Sequence, residues 1–147
     1  MSPPLSEFRF ALEMDVRDYE CDMEGIVNNA VYLNYLEHAR HEFLKSRGMD
    51  FAELTRSGVH LVVVRIEADY LAPLRSGDRF VVGVNTERVS RLRFGFHQEI
   101  RRLPDGKPIL KAKVIGAAMD PSGKPLRGVE VFGGIEEGLP DEEPSTQ

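Results

Sequence analysis

Residues 16–40 read VRDYECDMEGIVNNAVYLNYLEHAR, and they join an acidic loop directly to a helix. Asp22 stands three residues before Gly25, and Asn28 and Asn29 follow where apolar residues begin to recur at helical spacing. Asn28 is the predicted N-cap, because its side chain can accept from an amide two or three residues further on. A carboxylate beside the unpaired amides of a helix start can hold an electrophilic carbonyl and activate water against it. The stretch therefore favours an enzyme.

The helix is predicted from about Asn29 to Arg47, with Gly48 as its stop. Its apolar residues form a broad stripe, which indicates that the first half of the helix packs against a sheet. The stripe consists of Val31, Tyr32, Leu33, Tyr35, Leu36, Ala39, Phe43 and Leu44. Upstream, residues 8–16 alternate apolar and polar side chains, which predicts a half-buried strand.

The rest of the chain has mainly the pattern of strands. After a polar stretch with room for one helical turn at 52–58, strands are predicted at about 62–70, 80–86, 94–101 and 108–119, with a weak sixth strand near 129–132. One long helix followed by several antiparallel strands predicts an α+β fold with the helix on one face of the sheet. Residues 133–147 are rich in Gly, Pro and acids, and we expect a disordered tail there.

Length and composition narrow the class of protein. At 147 residues the chain is expected to be one domain with a core of about residues 8–132. A net charge of -5 argues against nucleic-acid binding and against attraction to anionic membranes. No apolar run approaches the roughly 20 residues of a spanning helix, and no signal peptide is evident. Cys21 is the only cysteine, so we expect no internal disulfide and a cytoplasmic protein.

Asp22 admits two interpretations. A loop aspartate commonly caps a turn or pairs with a cation such as Arg17. Asp22 lies about six residues before the helix, too far to cap it, and Gly25 would let the backbone approach a ligand closely. The second interpretation makes Asp22 a general base on water or a direct nucleophile. The amide of Asn29 or Ala30 would then stabilise the oxyanion formed on attack.

The chain resembles the hotdog-fold acyl-CoA thioesterases in the pattern Val16-Arg17-Asp18-Tyr19-x-x-Asp22-x-x-Gly25-x-Val27-Asn28-Asn29-x-x-Tyr32-x-x-Tyr35-x-Glu37-x-Ala39-Arg40. It looks most like the 4-hydroxybenzoyl-CoA thioesterase-like branch, which includes bacterial acyl-CoA thioesterases and plant acyl-carrier-protein thioesterases. A second matching segment is DYLAPLRSGD at 69–78, and the resemblance covers about residues 8–120.

The resemblance implies a hotdog fold, in which a curved antiparallel sheet of five or six strands wraps a long central helix. It implies that Asp22, with Gly25 in its loop, supplies the catalytic carboxylate and that an amide near Asn29 holds the thioester oxygen. It also implies subunits that pair edge to edge around a shared pocket, as a homodimer or homotetramer. Family members often carry an aromatic residue or histidine where this chain has Asn28 or Asn29, and this departure favours an aliphatic acyl group.

We therefore expect hydrolysis of an acyl-CoA, without a cofactor or a metal, with no nucleic-acid or membrane partner. Two alternatives stay open: an acyl-carrier-protein thioesterase of lipid or polyketide synthesis, and a non-catalytic module that binds acyl thioesters. A dehydratase would require a histidine beside its acid, for which His60 is the candidate outside the helix and the strand faces.

The remaining candidate residues are assigned to substrate binding: Tyr32, Asn28, Glu37, His60, Arg91 and Arg93. Glu37 is also the rival acid, since another hotdog branch uses a helix glutamate, although it can simply pair with Arg40 or His41. Arg91 and Arg93 lie at a strand–turn–strand junction. Such a turn is commonly just solvated, but arginine binds the phosphates of coenzyme A well.

Overall fold

The structure is a computed structural model of the chain, and it describes residues 7–127. In chain order the elements are β1 (Phe10–Asp15), α1 (Asn29–Ser46), α2 (Phe51–Arg56), β2 (His60–Tyr70), β3 (Arg79–Arg88), β4 (Arg93–Leu103), β5 (Pro108–Met119) and β6 (Pro125–Leu126). A 3-10 turn, Asp18–Glu20, lies between β1 and α1. The strands form a six-stranded antiparallel sheet in the order β1-β3-β4-β5-β2, with β6 paired to β5.

The predicted long helix and the five main strands are confirmed, each within a few residues of the expected ends. Gly48, the predicted helix stop, follows α1 with a φ of 81°, which glycine adopts at little cost. The strand predicted near 129–132 and the tail at 133–147 lie outside the described residues. A single domain with a core of residues 8–132 stays a prediction. Among the described residues, no helix is long and apolar enough to cross a bilayer.

Contacts divide the chain into two compact units, and the division cuts across α1 and several strands. The first unit holds the described residues up to Arg40, together with Ala68–Asn85 and His97–Ala112. The second unit holds His41–Glu67, Thr86–Phe96 and the described residues from Lys113 onward. The acid–glycine segment and the start of α1 therefore belong to the same unit.

In the first unit, the first half of α1 packs against strand residues as its broad apolar stripe predicted. The ring of Tyr35 lies 4.6 Å from the ring of Phe80, centroid to centroid. Gln98 is buried on the same side, where its amide donates to the carbonyl of Leu36 at 2.9 Å and its oxygen accepts from Arg40 at 3.0 Å. These bonds satisfy the polar groups that this packing removes from water.

Three phenylalanine rings pack together in the second unit. Phe43, from the last half of α1, lies edge-on to Phe96, with the ring centroids 6.4 Å apart. Phe96 in turn lies 5.6 Å from Phe94. Gly116 permits this packing, because a Cβ there would meet the Phe94 ring at 2.6 Å.

Candidate active site

The acid–glycine segment folds as a tight hairpin. The amide of Asp22 donates to the carbonyl of Ile26 at 2.9 Å, and the amide of Gly25 donates back to the carbonyl of Asp22 at 3.0 Å. Cys21 and Val27 pair next to them as an antiparallel bridge. A hairpin loop of three residues commonly ends in a left-handed residue, and Gly25 has a φ of 79°. The turn itself therefore requires glycine here, whatever a ligand adds.

The Asp22 side chain is exposed, and its two oxygens have different surroundings. Oδ1 accepts from the amide of Glu24 at 2.9 Å, so it caps the turn as the first interpretation predicted. No described residue donates to Oδ2. Arg17, the alternative partner, instead pairs with Glu20, with 3.5 Å between Nη1 and Oε2. One oxygen of Asp22 thus stabilises the hairpin, and the other is open to a ligand.

The start of α1 leaves one amide without an acceptor among residues 7–127. Asn28 is the N-cap, as predicted, because its Oδ1 accepts from the amide of Ala30 at 3.0 Å. The carbonyl of Asn28 accepts from the amide of Val31 at 2.9 Å. The amide of Asn29 has no acceptor in the described chain. Of the two predicted oxyanion donors, Ala30 is therefore occupied and Asn29 is available, at the positive end of the helix dipole.

The second matching segment, residues 69–78, forms backbone hydrogen bonds with the C-terminal end of the hairpin. The amide of Val27 donates to the carbonyl of Leu74 at 2.9 Å, and Ile26 pairs with Arg75 as an antiparallel bridge. The amide of Leu74 in turn donates to the hydroxyl of Tyr32 at 2.9 Å. The two segments that resemble the thioesterase family are therefore in contact in the structure, where residues 69–78 hold the hairpin in place.

Tyr70, at the end of β2, reaches the same helix start. Its side chain is 49% exposed, and its hydroxyl donates to the carbonyl of Asn29 at 3.1 Å. Its ring lies edge-on to Tyr32, with the centroids 5.5 Å apart. The sequence did not mark Tyr70 as a site residue, although its place in the second matching segment was a signal.

Glu20 and Tyr35 form a buried contact beneath the hairpin. The hydroxyl of Tyr35 donates to Oε1 of Glu20 at 2.9 Å, and the amide of Arg17 donates to the same oxygen at 2.8 Å. Burial, and then the hydrogen bond to Glu20, raise the pKa of Tyr35 well above its usual range, so its hydroxyl keeps the proton it donates. Sequence reasoning missed this pair, because Glu20 fell between the matching positions.

Two further predicted site residues, Tyr32 and Glu37, differ from each other in burial. Tyr32 is buried, with its hydroxyl bonded as described above. Glu37 is exposed on α1. Burial lowers the pKa of Arg40, and the charge of Glu37 offsets part of this effect. The structure thus joins Asp22 and Gly25 to the helix start. The roles of Tyr32 and Glu37 in binding substrate stay predictions.

Three predicted residues belong to the second unit. His60, which was predicted to lie outside the helix and the strand faces, is instead the first residue of β2, because the strand begins two residues earlier than its apolar alternation indicated. Arg91 and Arg93 are exposed at the turn between β3 and β4, where the amide of Val89 donates to the carbonyl of Arg93 at 3.1 Å. Their roles in binding substrate also stay predictions.

Comparison with known proteins identifies the family of the chain. The family model of the thioesterase-like superfamily matches residues 16–131. This chain belongs to that superfamily. It is 46% and 47% identical to two chloroplastic acyl-acyl carrier protein thioesterases of Arabidopsis thaliana, over 84% and 79% of its length. The chain spans 64% and 62% of the length of those two relatives.

Solved structures confirm the predicted hotdog fold. A hypothetical protein of Aquifex aeolicus superposes with a TM-score of 0.79 at 30% identity, covering 86% of this chain and 98% of its own. The 1,4-dihydroxy-2-naphthoyl-CoA thioesterase of Synechocystis superposes with a TM-score of 0.80, covering 89% of this chain and 98% of its own. Its sequence is 22% identical to this chain, so the similarity shows the fold alone. The resemblance to hotdog thioesterases is thereby confirmed at the level of the family.

Proposed function

We propose that this chain hydrolyses an acyl thioester to a carboxylic acid and a free thiol. One observation carries the proposal. A carboxylate with one oxygen that no described residue contacts and a helix amide without an acceptor both lie where the hairpin joins the start of α1. The carboxylate is that of Asp22, and the amide is that of Asn29. A base and an oxyanion donor are the two groups that acyl transfer needs first.

In the first route, Asp22 takes a proton from water as the water oxygen bonds to the thioester carbon. The carbonyl oxygen becomes an oxyanion that the Asn29 amide stabilises, and the C–S bond then breaks. The thiolate takes up the proton that Asp22 accepted, which leaves acid, thiol and a regenerated carboxylate. In the second route, Asp22 attacks the carbon directly and expels the thiolate. Water then hydrolyses the resulting anhydride to the carboxylic acid, and the proton released passes to the thiolate, which leaves the free thiol and the regenerated Asp22 carboxylate. Both routes use the same two groups, and Gly25 shapes the turn that presents Asp22.

The identity of the thiol carrier, coenzyme A or acyl carrier protein, is a separate question. Coenzyme A is the carrier that the sequence pattern favours, whereas the relatives at 46% and 47% identity are named for acyl carrier protein. Arg91 and Arg93 are exposed and form no ion pair with another described residue, so both guanidinium groups can meet an anionic carrier. We therefore assign these two arginines to the phosphate-bearing end of the substrate.

The assignment of Arg91 and Arg93 predicts that removing both arginines weakens the binding only of substrates that carry a phosphate. The double variant Arg91→Ala/Arg93→Ala should raise KM by about tenfold for acyl-CoA or acyl-carrier-protein substrates, because charge-assisted hydrogen bonds to phosphate are lost. KM for the same acyl group on N-acetylcysteamine, which has no phosphate, should not change. The rates of thiol release from the three substrates also show whether the wild type prefers coenzyme A or acyl carrier protein as the carrier. An equal change for all three would contradict the assignment, and binding without turnover of any of them would favour the non-catalytic module.

We also propose that the chain works as a homodimer or a larger homo-oligomer paired through β2. This strand lies at one edge of the sheet, and Val64 and Ile66, each 40% exposed, lie on one face of it. Arg65 and Glu67 pair with each other on the opposite face, at 2.5 Å. A long apolar edge strand presents unpaired backbone groups to a second strand, and a second copy of β2 supplies one.

The oligomer proposal predicts that Ile66→Lys shifts the protein towards monomer and lowers its activity. A buried ammonium without a partner would destabilise the paired edge. Light scattering after size exclusion, with activity measured on the same fractions, checks this. Thr55→Lys, on the exposed side of α2, is the matched control and should change neither. A monomeric wild-type protein with full activity would contradict the proposal.

A further inference from the structure

We infer that Glu20 and Tyr35 are a positioning pair that holds the Asp22 hairpin against the start of α1. The inference rests on the proposed function, because it concerns the geometry of that same site. Neither side chain takes part in the chemical steps proposed above.

Glu20 lies where the two ends of the hairpin meet the helix. The next residue, Cys21, bridges to Val27, and the carbonyl of Glu20 accepts from the amide of Asn28, the N-cap, at 3.1 Å. Its carboxylate accepts from Tyr35, which lies on α1 itself, at 2.9 Å. Glu20 therefore connects the stem of the hairpin both to the N-cap and to the body of the helix.

This connection fixes the acid relative to the amide. Asp22 follows Glu20 by two residues on the hairpin, while Asn29 and Tyr35 belong to the same helix. Because the helix is stiff, a bond from its body to Glu20 limits how far the hairpin can move from the Asn29 amide. A shift of roughly 1 Å in such a site can cost about a hundredfold in rate.

Burial distinguishes the pair from an incidental surface contact. Glu20 is 9% exposed and Tyr35 is 2% exposed. A carboxylate in such a place costs free energy unless donors surround it, and Tyr35 and Arg17 provide them. An apolar side chain of similar size often stabilises a protein as well as or better than a buried ion, so stability alone does not account for the carboxylate.

A simpler role for Glu20 is to cap the 3-10 turn before the hairpin, through the amide of Arg17. The two roles differ in what Tyr35 contributes. Tyr35→Phe leaves the cap intact and removes only the hydroxyl that ties Glu20 to the helix. A capping role therefore predicts no kinetic effect of Tyr35→Phe, and a positioning role predicts one.

The test compares Tyr35→Phe, Glu20→Gln and Glu20→Leu with the wild type, well below the unfolding temperature of each protein. Tyr35→Phe should lower kcat by about tenfold or more with KM unchanged, because the substrate still binds while the acid and the amide are misaligned. Glu20→Gln keeps an oxygen for Tyr35 and should retain much more of kcat than Glu20→Leu. Thr55→Ala removes a hydroxyl from the exposed side of α2, far from the pair in sequence, and this control should match the wild type.

Hydrogen exchange provides a second, independent result. The amide of Asn28 should exchange faster in Tyr35→Phe than in the wild type or in Thr55→Ala, because its acceptor, the carbonyl of Glu20, is less restrained. Unchanged kcat together with unchanged exchange would overturn the inference. If the wild type releases no thiol from any substrate, the proposed function fails, and the exchange comparison still decides the positioning pair. If Tyr35→Phe does not fold, Tyr35→Met, which also lacks the hydroxyl and leaves the cap on Arg17 intact, takes its place in both comparisons.

Discussion

Asp22→Asn is expected to fold as the wild type does and to lose roughly 100- to 10,000-fold in kcat for thioester hydrolysis. The asparagine keeps an oxygen in the place of Oδ1, so the Glu24 amide retains its acceptor and the hairpin its turn. The second oxygen, which meets no described donor, becomes an amide nitrogen that can neither take a proton from water nor attack a carbonyl. Steady-state thiol release, with circular dichroism as the check on folding, measures both parts of the expectation.

Glu37 is the rival for the catalytic carboxylate, and the two variants separate the two acids. Glu37→Gln should retain the activity that Asp22→Asn loses, because Glu37 is exposed on α1 and its charge acts on Arg40. The reverse outcome, an active Asp22→Asn and an inactive Glu37→Gln, would transfer the assignment to the helix glutamate.

Asn29→Pro is expected to lower kcat by roughly 100- to 1,000-fold, the range for removal of one oxyanion donor. Proline removes the one amide at the helix start that has no acceptor among residues 7–127. Asn29 is the first residue of α1, a position that proline favours because its fixed φ suits the first turn. The helix should therefore keep its stability, and kcat for thiol release together with thermal unfolding tests the two expectations.

Asn29→Ala is the matched control for the amide. It keeps the backbone N–H and the carbonyl that accepts from Tyr70, and it removes only the side chain. We expect near wild-type kcat from this variant. An equal loss in Asn29→Ala would point to the side chain as the donor, and a fully active Asn29→Pro would show that another group holds the oxyanion.

Local patterns in the sequence predicted most of the fold. The N-cap at Asn28 and the stop at Gly48 were confirmed, because both depend on residues within a few positions along the chain. The acid–glycine spacing predicted a loop, and the structure adds a reason for Gly25 that the sequence analysis did not give. Its positive φ closes a hairpin, a requirement that turn chemistry sets without any ligand.

The supports of the site could not be predicted in the same way. Tyr35 contacts Glu20 from 15 residues away, and Tyr70 contacts Asn29 from 41 residues away. Each residue fits its own helix or strand pattern equally well without that partner. Only the packed chain brings them together, so the sequence pointed to the two groups proposed to react and gave no sign of the residues that support them.

The most direct test of the account is thiol release by the wild type and Asp22→Asn, measured side by side with Glu24→Gln on one acyl-CoA and one acyl-carrier-protein substrate. Glu24→Gln removes an exposed acid from the same hairpin and controls for the change in charge. We expect turnover by the wild type and Glu24→Gln, and at least about a hundredfold less by Asp22→Asn. Equal turnover by all three proteins would contradict it.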